Sequence, residues 1–380
     1  MTFALKVDAS KFRSHLVSVM NSYAKAGAEL VPVIKGSGYG FGREALARET
    51  ARLGCNRIAV GTVWELEQSL ADFAGEILVL EPFNSIDESA SKKWRQHLEH
   101  NSDRIIVTVS NLDLGGARSA GVKNIYLEGK TSLSRFGILH FDMQSLGNFD
   151  DLKVLGLSLH LPIVQSASKV NATTENSSAF DGTTLSQSMT EVWNWIVLYE
   201  ELSDKHSLPK RISLSHVTEK QVQAFKKMVQ NYSFDFEIEV RIGTKLWLGE
   251  PNAIQASGTV LQIHEITHRQ EVGYQQIASG NNKRLIVVSG GTAHGVAMAA
   301  PSNTSSLRKK GIAISEGISQ ALGKVRSPFS HNGNNLDFVE PPHMQVSMLW
   351  SNDSTISVGD TLHCNVRNTT TYFDHVIGLD

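Results

Sequence analysis

The sequence predicts an α/β chain: an N-terminal (β/α)8 barrel over residues 1–250, followed by a mainly β C-terminal domain over residues 251–380. Three observations carry the prediction. Eight short apolar runs alternate with helical stretches along the first part of the chain, the rhythm of repeated βα units. After Pro251 strand-like runs continue with little helix among them. The chain has 380 residues, 41% hydrophobic and 19% charged, an ordinary composition for a folded protein and enough length for two domains. A doubly wound open sheet also fits the alternation, and the count of eight favours the barrel.

Taken in order, Asp8 or Ser10 supplies the cap of a first helix that runs to about Ala26. The strand runs are Leu30–Lys35, Arg57–Val60, Ile77–Leu80, Arg104–Val109, Asn124–Leu127, Lys153–His160, Arg211–Leu214 and Glu237–Arg241. Helical patterns at Glu44–Leu53, Val63–Phe73, Ser89–Leu98, Ser186–Glu201 and Glu219–Gln230 lie between many of them. In such barrels the chemistry sits at the C-terminal ends of the strands. Lys35, Glu128, Arg135, His160, Ser215 and Arg241 all fall at or just past predicted strand ends. Gln165–Ser188, rich in Ser, Thr, Asn and Ala, reads as an inserted loop. In the second domain Ala256–Ile266, Arg284–Ser289, Met344–Trp350 and Thr361–Val366 read as strands, with Pro301–Leu336 a long loop inside it.

A net charge of −2 gives no reason to expect nucleic acid or another polyanion as a partner. The 14 histidines are scattered without HExxH or another metal-like spacing, so no metal is expected. Cys55 and Cys364 lie far apart and read as cytosolic thiols rather than a disulfide. The first residues, MTFALKVDASKF, lack a charged segment leading into an apolar one, and no apolar run approaches a membrane span. A cytoplasmic protein without a membrane partner is the expectation.

The stretch with most chemical content is Leu30–Gly42, LVPVIKGSGYGFG. An apolar strand ending in a lone lysine places one amine at the mouth of a sheet or barrel. Partial desolvation there lowers its pKa, which an imine-forming lysine needs. Gly36, Gly38, Gly40 and Gly42 let the backbone pass close to a ligand. The spacing fits neither a Walker loop nor GxGxxG. The plain alternative is a strand-end lysine capping a turn.

IKGSGYGFG resembles the pyridoxal-phosphate lysine motif of the alanine racemase family, usually VKANAYGHG, with Lys35, Tyr39, Gly40 and Gly42 in the family's positions. Further matches follow in the family's order over most of the chain, and the resemblance too favours the barrel. Val240–Trp247, VRIGTKLW, is similar to VRPGIALYG. It implies that Arg241 meets the pyridine nitrogen of the cofactor and that Gly243 and Thr244 offer N–H groups to its phosphate. An arginine does not give up its proton, so the ring nitrogen stays unprotonated and the ring is a weaker electron sink. By itself Arg241 reads as an ion-pair partner closing the eighth strand.

Arg211–Thr218, RISLSHVT, resembles HxANSAA, with Ser215 and His216 at its Asn-Ser pair and one of them implied to bind the phosphate. A helix beginning near Val217 would help, and Ser215 as its N-cap is the bland alternative. Gly156–His160 resembles GxxTH, which places His160 near Arg241, behind the ring. Leu127–Gly137 resembles LKVDTGMGRLG, and Arg135 falls on the arginine that supports the substrate carboxylate. Glu128 stands where many members carry a carbamylated lysine, so its carboxylate is expected to present the anion to Arg135 directly. Lys130 replaces an aspartate.

Glu271–Tyr274, EVGY, sits where the family has its second base, a tyrosine reaching the cofactor of the other subunit. A two-base racemase needs bases on opposite faces of Cα, and Lys35 and Tyr274 supply them. Gly291–Gly295 resembles GYADG with Thr292 and His294 substituted. Val346–Leu349 resembles VSMD, keeping Met348 at the substrate pocket and replacing the aspartate with Leu349. Tyr372 in TTTYFD matches the phosphate-binding tyrosine. The resemblance therefore implies a pyridoxal-phosphate-dependent homodimer with shared sites that racemises a small amino acid, L-alanine to D-alanine first, with serine as an alternative. The pocket departures also fit a cofactor-binding paralogue with little turnover. A related decarboxylase would carry a C-terminal cysteine motif that Cys364, in HCNV, does not resemble.

Overall fold

A computed structural model describes residues 2–146, 149, 151–163, 179–180, 183–184, 187–298 and 325–379. The chain divides into two compact units. One comprises Ser14–Gly36 and Arg43–Gly249; the other gathers Met1–Arg13, Ser37–Gly42 and Glu250–Asp380. The expected 1–250 and 251–380 division shares the boundary near residue 250. The first thirteen residues, however, sit with the β unit, because Phe3–Val7 is a strand of its sheet.

The larger unit is the (β/α)8 barrel. Its strands are Ala28–Pro32, Arg57–Val60, Glu76–Val79, Ile105–Val109, Asn124–Gly129, Lys153–His160, Arg211–Ser215 and Glu237–Ile242, paired in parallel in chain order. The last strand pairs with the first from Ile238↔Ala28 to Ile242↔Pro32. Between the first and second, a bridge Val33↔Ala59 brings the ring nearly to closure. Val31, Val33, Ala59, Leu78, Ile106, Tyr126 and Leu155, drawn from six strands, meet in one buried cluster. Side chains alternate along a strand, so Val31 and Val33 carry their face on to Lys35.

The helices form where caps and apolar spacing agree. Thr218 and Gln221 make a reciprocal capping box at the start of Glu219–Asn231, whose Val222, Phe225, Met228 and Val229 are buried. Asp87 caps Glu88–Asn101, which buries Trp94 and Leu98. No helix among the described residues is long and apolar enough to cross a membrane. The expected Gln165–Ser188 loop falls almost wholly outside the described residues, and the following helix begins at Gln187.

In the second unit the strand Ile254–Glu265 is the organiser. It pairs with Phe3–Val7, with Thr361–Cys364 and, past a bulge between Val260 and Gln262, with Arg284–Ser289. Val346–Ser351, Asn334–Phe338 and Val325–His331 continue from there and return to Thr361–Cys364, closing an antiparallel ring of six strands. Two of those strands correct the expected Pro301–Leu336 loop. Residues 325–336 form a hairpin and its turn, and 301–324 lie outside the described residues. Asn332-Gly333, with φ of 47° and 80°, is a two-residue hairpin signal. Pro328 obscured it, but sits where the ladder is irregular between Arg326 and Ser330, so its missing N–H interrupts nothing.

Candidate active site

Lys35 follows the first barrel strand, whose backbone is held on three sides. Val33 N–H donates to Ile242 (2.8 Å), Ile34 N–H to Ala59 (2.8 Å), and the buried Trp247 indole N–H to Val33 C=O (2.8 Å). Beyond it, Glu65 accepts from the N–H groups of Gly36 (3.0 Å) and Gly61 (2.8 Å), while Arg43 donates to Gly36 C=O (2.6 Å). Gly61 leaves the space: a Cβ there would lie 3.2 Å from the Lys35 Cβ. Desolvation at the barrel mouth, then the charge of Arg135, hold the Lys35 amine below the usual lysine value; Glu65 opposes them and Arg241 adds to them. Glu65 was not singled out in the sequence. Thr62-Val-Trp-Glu65 reads as a capping box, yet Thr62 makes no side-chain cap and the carboxylate serves the lysine's strand end instead.

Arg241, the last but one residue of its strand, is buried. Nη1 donates to Ser158 Oγ and Nη2 to Leu159 C=O (2.8 Å), but Nε has no hydrogen-bond partner. Glu128 is buried with Oε2 likewise unpartnered. Desolvation raises its carboxyl pKa, and the nearby charges of Arg241 and then Arg135 pull against that. The expected Glu128–Arg135 ion pair is not formed. Lys130 N–H donates to Ile138 C=O and Ile138 N–H to Glu128 C=O, pinching off the 131–137 loop. Arg135 lies exposed in that loop, with its guanidinium 5.1 Å from the Phe136 ring centroid. Glu128 therefore faces Arg241 more than the arginine it was expected to orient.

His160 and His216 pack edge to face with ring centroids 5.2 Å apart. Desolvation first, then Arg241, Arg135, His216 and Lys35, push the His160 imidazole down to about 3, so it is neutral at ordinary pH. Desolvation, followed by Lys35, Arg241 and Arg135, also lowers His216, although its side chain reaches solvent at the mouth. Ser215 Oγ accepts Leu161 N–H (3.3 Å), and its own proton remains to be donated. Ser215 is not an N-cap; Thr218 takes that place. Gly243 precedes the one-turn helix Thr244–Leu248.

One end of the barrel thus gathers Lys35, Glu65, Glu128, His160, Ser215, His216 and Arg241, with Arg135 within electrostatic reach. Tyr39, Tyr274, Met348 and Tyr372 belong to the second unit. Tyr39 is buried at φ 55° in the 37–42 turn, where a Cβ on Gly40 would sit 2.9 Å from the Phe373 ring. Tyr274 is 86% exposed and Tyr372 63% exposed. Met348 packs against the cluster of Val272, Leu285 and Val339, and Leu349 is buried. His294 is structurally committed: Nδ1 accepts Gly291 N–H (3.2 Å), so Nε2 carries the hydrogen shared with Asp374 (3.2 Å).

Residues 7–189 match the family model of the alanine racemase N-terminal domain. The structure of alanine racemase from Clostridium difficile 630 superposes with a TM-score of 0.66 at 13% identity, covering 98% of this chain and 88% of that one. That of Bartonella henselae, with covalently bound pyridoxal phosphate, gives 0.60 at 18% identity, covering 96% and 90%. That of Bacillus anthracis, with bound L-Ala-P, gives 0.62 at 15%, covering 95% and 85%. No curated protein matches the chain in sequence. The solved structures share the two-part fold, and the matched segment spans the strands that carry Lys35, Glu128 and His160. Residues 7–189 thus carry the alanine racemase N-terminal domain, and the chain as a whole shares the fold of these racemases at low identity.

Proposed function

We propose that the chain is a pyridoxal-phosphate-dependent racemase of a small amino acid, with L-alanine to D-alanine the first reaction to test. The observation that carries this reading is the unpartnered, buried Nε–H of Arg241 at the same barrel mouth as Lys35. A buried donor without an acceptor is costly, and the pyridine nitrogen of the cofactor is an acceptor of the right kind. Bound there, pyridoxal phosphate supplies an electron-withdrawing ring that acidifies the Cα–H of an attached amino acid.

The chain's own residues supply the rest. Lys35, with its pKa held down, keeps a larger neutral fraction able to bond the cofactor's carbonyl carbon. Arg241 donates but does not protonate the ring nitrogen. Ser215 and His216, with the N–H groups of Gly243 and Thr244, hold the phosphate, and Tyr39 and Tyr372 add hydroxyls as the resemblance implies. His160, neutral, packs near Arg241 without adding charge. Arg135 and the Met348 segment receive the substrate carboxylate. Displaced from the cofactor carbon by the substrate's amine, the freed Lys35 Nζ and the Tyr274 hydroxyl would exchange the Cα proton from opposite faces: one base takes a proton, the other delivers one, and the pair resets through solvent. Tyr274 comes from a second copy in a symmetric dimer.

Purified protein reconstituted with the cofactor should racemise alanine, serine or another small member of an L-amino-acid panel, read by chiral chromatography. Cofactor retention without turnover on any member would support a binding paralogue instead. Failure to retain the cofactor would overturn the reading altogether.

A further inference from the structure

Tyr274 sits at the tip of the hairpin formed by Glu271–Val272 and Ile277–Ala278, in the turn Gly273–Gln276. An exposed aromatic at such a tip ordinarily samples several rotamers. Three restraints act against that here. Glu340, buried, accepts Tyr274 N–H on Oε1 (3.0 Å) and Gln275 N–H on Oε2 (3.0 Å). Gly273, at φ 78°, allows the approach, since a Cβ there would fall 2.5 Å from Glu340 Oε1. The same Oε1 takes a hydrogen bond from His343 Nε2 (2.8 Å), and the His343 ring lies against the Tyr274 ring with centroids 4.5 Å apart and planes at 31°.

The imidazole is itself a fixed platform. His343 N–H donates to Val346 C=O (2.9 Å), and its C=O accepts Thr292 N–H (2.8 Å). Because a carboxylate only accepts, the bond to Glu340 places a hydrogen on Nε2 and fixes the ring's rotation. Burial works against the Glu340 charge, but the Gln275 N–H, His343 and the Tyr274 N–H outweigh it and hold the carboxyl below the usual range, so the clamp is ionised and strong at neutral pH. All of these groups lie in the β unit. The phenol is thus fixed from its backbone and from one face, and its hydroxyl is left exposed.

We propose that Glu340 and His343 are positioning residues for Tyr274: the carboxylate sets the backbone of the turn, and the imidazole sets the plane of the phenol. This rests on the reading of Tyr274 as the second base, and explains how a proton-transfer group on an exposed tip keeps one orientation.

The test uses the full chain in two arms. In the cofactor-free protein, the Tyr274 ring is assigned by NMR against Tyr274→Phe. Its signals should carry a ring-current shift that His343→Ala removes and His343→Phe restores. In the cofactor-loaded protein, His343→Ala and Glu340→Gln should each lower kcat by about 10²-fold with little change in KM, as misplacing a reacting group does. His343→Phe should recover most of that loss. In the Tyr274→Phe background His343→Ala should cost nothing further, because the two act as one unit.

A rotationally averaged Tyr274 ring in the parent overturns the inference, and so does an undiminished loss in the Tyr274→Phe background. If the parent holds Tyr274 fixed but racemises nothing, the reading of the reaction fails and the support of the tyrosine stands. If it racemises and His343→Ala is as active as the parent, the support fails and the reaction stands.

Discussion

The barrel carries two polar layers, two residues apart on the same strands, and they obey different rules. The lower layer is Arg57, Tyr126, Ser213 and Glu239. Glu239 Oε2 accepts from Arg57 and from the Tyr126 hydroxyl (3.1 Å), its Oε1 accepts from Ser213 (2.6 Å), and Arg57 also reaches Glu76 (2.6 Å). The upper layer, on the same faces, is Glu128, Ser215 and Arg241, with Lys35 and His160 beside them. There Arg241 Nε and Glu128 Oε2 have no partners. Equal burial with unequal satisfaction separates a layer whose polar atoms pair with one another from a layer that leaves two of them unmet. Buried charge is common to both; the unmet donor of Arg241 is what the upper layer adds.

Lys35→Ala should show the largest effect and confine it to function. Racemase turnover should drop by roughly 10²–10⁴-fold from the lost proton transfer alone. Resistance of the cofactor-free chain to urea should be unchanged or slightly higher, because the folded protein disfavours the charged amine that is removed. Borohydride treatment of the loaded parent should fix the cofactor to Lys35, as mass spectrometry of its peptide would show; a label on another lysine breaks the assignment.

Glu239→Ala should show the opposite pattern, about 3–5 kcal/mol of lost stability from leaving Arg57 buried without its partner. Arg241→Leu should lose less, about 1–3 kcal/mol for the Ser158 hydroxyl and Leu159 carbonyl it leaves. Losing Arg241 also removes the larger of the two charges that oppose the desolvation of Glu128, so its carboxyl pKa moves further up. Cofactor retention should nevertheless fail in Arg241→Leu. Equal unfolding losses for the two variants would erase the distinction between the layers.

The last effect is a slope, seen only on the acid side. His160 has a folded-state pKa of about 3 against an ordinary 6.5. Between those values the unfolded chain binds the extra proton, so stability rises with pH across that window and is lost as pH falls through it. In the lower layer Arg57 and Tyr126 are both pushed up, away from this range. His160→Asn should therefore flatten the acid side of the stability curve of the cofactor-free chain. An unaltered slope would place the His160 titration outside the site.

The barrel was legible because its strands are short, apolar and regularly spaced; all eight runs named from the sequence are barrel strands, within two or three residues at either end. Leu114–Ser119 and His140–Ser145 escaped notice because each is six residues long, too short to show a period. Phe3–Val7 was missed because its partner lies about 250 residues away. In the site, Lys35 and Arg241 were visible as lone charges at apolar strand ends. Glu65 and Glu340 were not, since their function is to accept backbone N–H groups brought near by folding, and no spacing encodes that. The Glu128–Arg135 pair failed for a related reason: adjacency in a motif does not say on which side of a pinched loop a side chain emerges.

The same N-terminal strand has a consequence for the order of synthesis. Every strand of the larger barrel lies between Ala28 and Ile242, so its sheet can close while the chain is still being made. Phe3–Val7 is made before all of them, yet one of its edges pairs with Ile254–Gly258 and the other with His375–Ile377. Asp374 accepts Phe3 N–H (2.8 Å), and Arg13 donates to Leu379 C=O (3.5 Å). A strand made ahead of the barrel thus waits for partners made after it, and until then Phe3 and Leu5, both fully buried in the finished protein, must be kept from pairing with another nascent chain.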